Sequence, residues 1–174
     1  MALIINPTDP NMNAYVDQSF VNDYAESVGM GEVWCNNVSK QESSIILASQ
    51  YIDMKYVNIV PGCLYDNNQS MLFPRTTYVD RRGRTIPAGT IPNGLKQATA
   101  QLAIEILMDD GIDYNPNQSN NVKATTVSVG QGAVQESVQY WTPQNQSRYV
   151  LFSNLMNSIL PLNSISSVVG YRTR

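Results

Sequence analysis

Apolar residues recur along this chain with two different periods, and one long stretch shows neither. Phe20, Val21, Tyr24 and Val28 follow Asp17 at helical spacing, and Gly29 stands where a left-handed residue closes a helix, so a helix is expected over about 17–28 with Asp17 as its N-cap. Ile45, Ala48, Ile52 and Tyr56, with Leu47 and Tyr51 alongside, predict a second helix over about 40–56; Ser39 and Glu42 have the spacing of a capping box. A third should open with Pro92, bury Leu95, Thr99, Leu102, Ala103, Ile106 and Leu107, and run to about Asp109 before Gly111. A fourth, about 144–160, places Tyr149, Phe152, Leu155, Met156 and Ile159 on one face ahead of Pro161.

Between the last two helices the period drops to two. Lys123–Val129 and Ala133–Trp141 alternate in the strand manner, with Gly130-Gln131-Gly132 as the turn of a β-hairpin. Val57–Thr90 has neither period, because Pro61, Gly62, Pro74, Gly83, Pro87 and Gly89 interrupt it, and it reads as a long loop of the kind that usually carries function. Shortening it between Asn67 and Arg84 is expected to spare folding and block assembly. Residues 1–12 read as an extended arm and 162–174 as an extended tail. The expected fold class is mainly α: about four helices with one inserted hairpin, in a single domain spanning 13–161.

Composition narrows the function. Hydrophobic residues make up 43% of the 174, enough for one core, while only 14% are charged; 18 Asn and 12 Gln supply a neutral polar surface instead. A net charge of -3 argues against a protein that grips nucleic acid, which needs a basic footprint. Histidine is absent, so imidazole bases and ligands are excluded. Cys35 and Cys63 are expected to be free and partly buried. No apolar run approaches the roughly 20 residues a bilayer requires, and Met1–Pro10 lacks the features of a signal peptide, so folding in a reducing cytoplasm is expected.

Candidate chemistry is sparse. Arg75, Arg81, Arg82, Arg84 and Lys96 stand close together in the sequence with Asp80 as the single acid among them, and Tyr78 could stack on a base. No second basic cluster or aromatic ladder accompanies them, which favours contact with protein. Asp109, Asp110 and Asp113 suggest a calcium loop, but Gln118 and Ala124 occupy the positions where an EF-hand needs Gly and a carboxylate. A solvated helix end is one reading of these acids, and a negative patch at an interface or channel is the sharper one. Ser, Tyr and Lys lack an identifiable base partner. No catalytic, metal or cofactor-binding residue is therefore expected. Val168, Val169, Tyr171, Arg172 and Arg174 have no local core to receive them and are expected to gain order from a partner.

The order of several short motifs carries a resemblance. Ala14-Tyr15-Val16, then Trp34, Ile46-Leu47-Ala48 with Tyr51-Ile52-Asp53, Phe73-Pro74-Arg75, Ile91-Pro92, Lys96-Gln97-Ala98-Thr99 and Leu102-Ala103 together resemble the head-tail adaptor, or head completion, family of tailed bacteriophages, often labelled DnaT-like single-stranded-DNA-binding proteins. The likeness spans roughly residues 13–108 and continues more weakly through the hairpin and last helix; Phe73 stands where the family usually has Trp. The resemblance implies a helical adaptor, dodecameric as a ring, docked on the portal protein in the virion neck. It implies contact with the next neck or tail protein, double-stranded DNA passing through without specific binding, no membrane and no catalysis. The alternative is a single-stranded-DNA-binding accessory protein using the arginines and Tyr78; a tail-completion protein is a third reading.

Overall fold

The computed structural model describes residues 2–109, 122–130, 133–140 and 149–161, the strands at 122–130 and 133–140 by their backbone alone. The fold is mainly α. Two compact units form, one of Met1–Ile112 with Leu151–Arg174, the other of Asp113–Val150. Among the described residues, the first unit carries α1 (Gln18–Ser27), α2 (Gly31–Cys35), α3 (Val38–Tyr56), β1 (Tyr78–Val79), β2 (Thr85–Ile86) and α4 (Asn93–Met108). The second carries β3 (Val122–Gly130) and β4 (Ala133–Tyr140), and the chain returns to the first as α5 (Val150–Ile159).

Helix α4 is the centre of the first unit. Leu95, Ala98, Ala100, Leu102, Ala103 and Ile104 are wholly buried, so burial extends well beyond the single face expected. The alanines explain this: short side chains let α1, α2 and α3 all pack on α4, and a helix apolar on nearly every side belongs inside. Helix α1 has the expected start, Asp17 accepting a 2.8 Å hydrogen bond from the Phe20 N–H, and the expected left-handed Gly29. Its buried positions are Val21 and Ala25, whereas Val28 is 42% exposed because the helix ends at Ser27. Helix α3 starts a residue before Ser39, at Val38, with no side-chain cap, so the Ser39–Glu42 box does not form.

Short α2, five residues long, has too few positions to show a period in the sequence. Its Trp34 is fully buried and its indole N–H donates to Asn22 at 2.6 Å, tying α2 to α1. Cys35 beside it and Cys63 are free, and both are exposed rather than partly buried. The N-terminal arm is folded back on itself: Asn13 accepts from the Ile4 N–H at 2.8 Å and donates its own N–H to the Ile4 carbonyl at 3.0 Å. Met12 is buried, and its carbonyl accepts from the Ser70 hydroxyl at 2.6 Å.

The largest difference lies in Val57–Thr90. Met71, Leu72, Phe73, Arg75 and Tyr78 are all buried, so this long connection contributes core. Its anchor is a polar knot. Tyr15 donates its hydroxyl to Asp53 and accepts from the Phe73 N–H at 3.3 Å, while the other Asp53 oxygen accepts from the Leu72 N–H at 3.1 Å. Phe73 stacks edge-on between Tyr15 and Tyr78, with ring centroids at 6.3 and 5.2 Å, and the Phe73–Pro74 peptide is cis. Helix α5 brings Phe152, fully buried, edge-on to Tyr51 and Tyr56 of α3. The start expected near 144 falls outside the described residues.

In the second unit β3 and β4 pair antiparallel, from Val122 with Tyr140 to Gly130 with Ala133, with an irregularity between Val122 and Ala124. The expected hairpin is present within a residue of its expected bounds; residues 131, 132 and 141 lie outside the described part.

Candidate functional site

The basic residues of the long connection divide into two groups once folded. Arg75 and Tyr78 are 7% and 3% exposed, which removes them from any surface a partner could reach. The Arg75 guanidinium donates to the Gly62 carbonyl at 2.7 Å and lies over the Phe73 ring at 5.9 Å, and its Nε has no acceptor among the described residues. Burial lowers its pKa, against the nearby Tyr15, Tyr78, Asp53 and Cys63. Tyr78 donates its hydroxyl to the Ile159 carbonyl at 3.1 Å, and burial pushes its pKa up to about 12. Both are spent in holding the connection to the core and to α5.

Arg81, Arg82 and Arg84 stay exposed, at the tip of the hairpin that β1 and β2 make. The tip follows from local sequence. Asp80-Arg81-Arg82-Gly83 has Asp and Gly at the ends of a tight turn, and Gly83 adopts the left-handed φ of 76° that a glycine tolerates. Its N–H donates to the Asp80 carbonyl at 2.9 Å, and the Asp80 N–H to the Arg84 carbonyl at 3.0 Å. The Asp80 carboxylate then organises the rest, accepting from the backbone N–H groups of Arg82 and Arg84 at 2.9 Å each and from Arg84 Nε at 2.8 Å. Burial alone would raise the Asp80 pKa, but these bonds and the Arg84 charge outweigh it and hold the group below the usual carboxylate range.

The result is a stiff basic tip resting on α5. Arg81 reaches the Asn157 carbonyl at 3.4 Å. Arg84 is paired with Asp80, whereas the Arg82 guanidinium has no hydrogen bond or ion pair among the described residues. Two clefts meet at Arg82 and Ser158. One, of about 430 Å³, runs between Arg82 and Arg84 on one side and Asn93, Gly94 and Gln97 of α4 on the other. The second, of about 520 Å³, is lined by Arg81, Arg82, Asn154, Asn157 and Ser158. The sequence marks Asp80 as the one acid among these arginines but gives it no role, and it does not mark Asn154, Asn157 or Ser158. The Asp-x-x-Gly turn could have revealed Asp80; nothing local could have placed α5 beside it.

Lys96 lies away from the tip, in a groove of about 340 Å³ with Ile5, Val16, Phe20 and Ile91. Asp109 is exposed at the end of α4, where it helps raise the pKa of Glu105 after the larger effect of burial. Asp110, Asp113, Val168, Val169, Tyr171, Arg172 and Arg174 lie outside the described residues. Among the described residues no group of three or more His, Cys, Asp or Glu could hold a metal ion, and no helix is long and apolar enough to cross a membrane.

Neither the curated proteins nor the solved structures contain a match to this chain. A family model does match, over residues 1–172, and its description is "Putative DnaT-like ssDNA binding protein". That match takes in α1 to α5 and both hairpins, and the chain belongs to this family.

Proposed function

We propose that the protein is a structural virion component, a head-tail adaptor that assembles as a ring on the portal protein, extends the DNA channel and receives the next neck or tail protein. Its work is done by binding, without a catalytic step or a cofactor. The observation that supports this over single-stranded-DNA binding is the burial of Tyr78. Base-independent recognition of single strands combines a basic groove with aromatic faces on which bases stack. Here the aromatic beside the arginines is 3% exposed, with its hydroxyl bonded to α5. What remains on the surface is a stiff cationic tip with polar asparagine walls, which suits an acidic protein surface. A two-stranded sheet such as β3–β4 is at best marginally stable by itself in water, and an assembly that adds neighbours would also serve it.

The test is made in the phage that encodes the chain. Deleting the gene should leave DNA-filled heads that lack tails, and imaging of intact particles should place the protein as a ring between portal and tail. Absence of the protein from purified particles would overturn the adaptor reading. Tight oligonucleotide binding with a steep salt slope, abolished in R81E/R82E, would favour the DNA-binding reading in its place.

A further inference from the structure

We infer that the clefts at the basic hairpin tip are a docking surface for a second copy of this chain, and that they receive the acidic corner formed by α1 and α2. The inference rests on the assembly reading above and names the partner of that site.

The chain segregates its charge by position in the fold. Thirteen of its fourteen acids lie outside the Arg75–Lys96 segment, and the single acid within it, Asp80, is turned inward to hold the tip. The acids of α1 and α2 form the surface of opposite charge. Asp23, Glu26 and Glu32 are all exposed, and Glu26 Cγ stands 3.4 Å from where a Cβ on Gly31 would lie, so Glu26 stands beside the residue that precedes Glu32. Tyr24 between them donates to Gln101 at 3.1 Å, and Gln101 to Glu105 at 2.8 Å, which seats this corner beside the C-terminal half of α4. The basic tip faces the other end of that helix, across from Asn93 and Gly94. Gln101 stands eight residues beyond Asn93, a rise of about 12 Å along that helix.

Opposite charges seated at separate places along one rigid helix are held apart within a molecule. Between copies they can meet, head to tail, and a contact of that kind is heterologous, so it closes into a ring when the rotation permits. The tip is well suited to receive carboxylates. Among the described residues Arg82 lacks a partner and Arg81 is held by one long bond, and the backbone beneath them is fixed by Asp80, so little backbone ordering is required on docking.

Self-association of the full chain is measured by sedimentation at low and high salt, beside two charge-reversal variants, R81E/R82E and E26R/E32R. Each variant alters exposed side chains and should melt like wild type. Wild type should associate at low salt and dissociate as salt screens the contact. Each variant should weaken association at least about tenfold, because it loses several charge pairs at once. The mixture of the two should associate again, in alternation, since the acidic corner of one meets the basic tip of the other and the reversed tip meets the reversed corner. Combining all four reversals in one chain should restore association.

A wild type that stays monomeric at low salt overturns the inference, as do variants that associate like wild type. Oligonucleotide binding lost in R81E/R82E, with self-association intact, assigns the tip to nucleic acid and also overturns it. If the protein is found in necks while the charge swap has no effect, this interface falls and the adaptor role stands; if the swap works but the protein is missing from particles, the reverse holds.

Discussion

Asp53 is a carboxylate made to do the work of a hinge pin. It joins α3 to Tyr15, in the bend before α1, and to the Leu72 backbone, yet burial pushes its pKa up to about 6, only partly offset by its bonds to Tyr15 and Leu72 and by Arg75. A folded pKa above the unfolded value means the native state holds the proton more tightly. The resulting stabilisation is complete below about pH 4, and is lost as pH rises through about 6. A shift of this size corresponds to about 2 to 3 kcal/mol. Urea unfolding of wild type should therefore lose stability across that window, and Asp53→Asn should remove most of the slope; an unchanged slope would mean Asp53 is not the titrating group. Gly62 makes a second demand. Its φ is 90°, and a Cβ there would meet the Thr77 carbonyl oxygen at 2.7 Å, so Gly62→Ala should cost at least about 1 to 3 kcal/mol by thermal melting.

At the level of elements, the contact between α4 and α5 is close because residue 94 has no side chain: a Cβ there would stand 2.9 Å from Ile159 Cγ1. Gly94→Ala should push α5 away and lower stability by about 1 to 3 kcal/mol, with the largest amide-exchange increase in α5. Leu102, wholly buried in the middle of α4, should cost about 2 to 5 kcal/mol as Leu102→Ala in the same melting assay. The β1–β2 tip is an element that one residue organises, since Asp80 accepts from two backbone N–H groups and from Arg84. Asp80→Ala should speed exchange at the Arg82 and Arg84 amides well before it affects α4; unchanged exchange there would show that the turn holds without the carboxylate.

At the scale of the whole molecule, the connection from Val57 to Thr90 is part of the core, which changes what its removal should do. Excising Asn67–Arg84 takes away Phe73, Arg75 and Tyr78 with their bonds to Asp53, Gly62 and Ile159, so the first unit should lose cooperative unfolding rather than fold and fail to assemble. A cooperative melt for that deletion would contradict the packing described. The sequence by itself determined the longer helices but not α2, because periodicity and caps act within a few residues: Asp17, Gly29 and the Ile45–Tyr56 stripe suffice for α1 and α3, and alternation suffices for β3 and β4. It determined the absence of imidazole chemistry and the concentration of arginine. Only the tertiary structure decided which of those arginines face outward, since Phe73, Arg75 and Tyr78 are single residues without a period, buried by partners as distant in sequence as Tyr15 and Ile159. Only the tertiary structure, likewise, set Arg81 against Asn157, and seated α1 with its acids beside Gln101 while the tip lies beside the start of α4, because a charge pattern in space depends on how helices stack and not on their order along the chain.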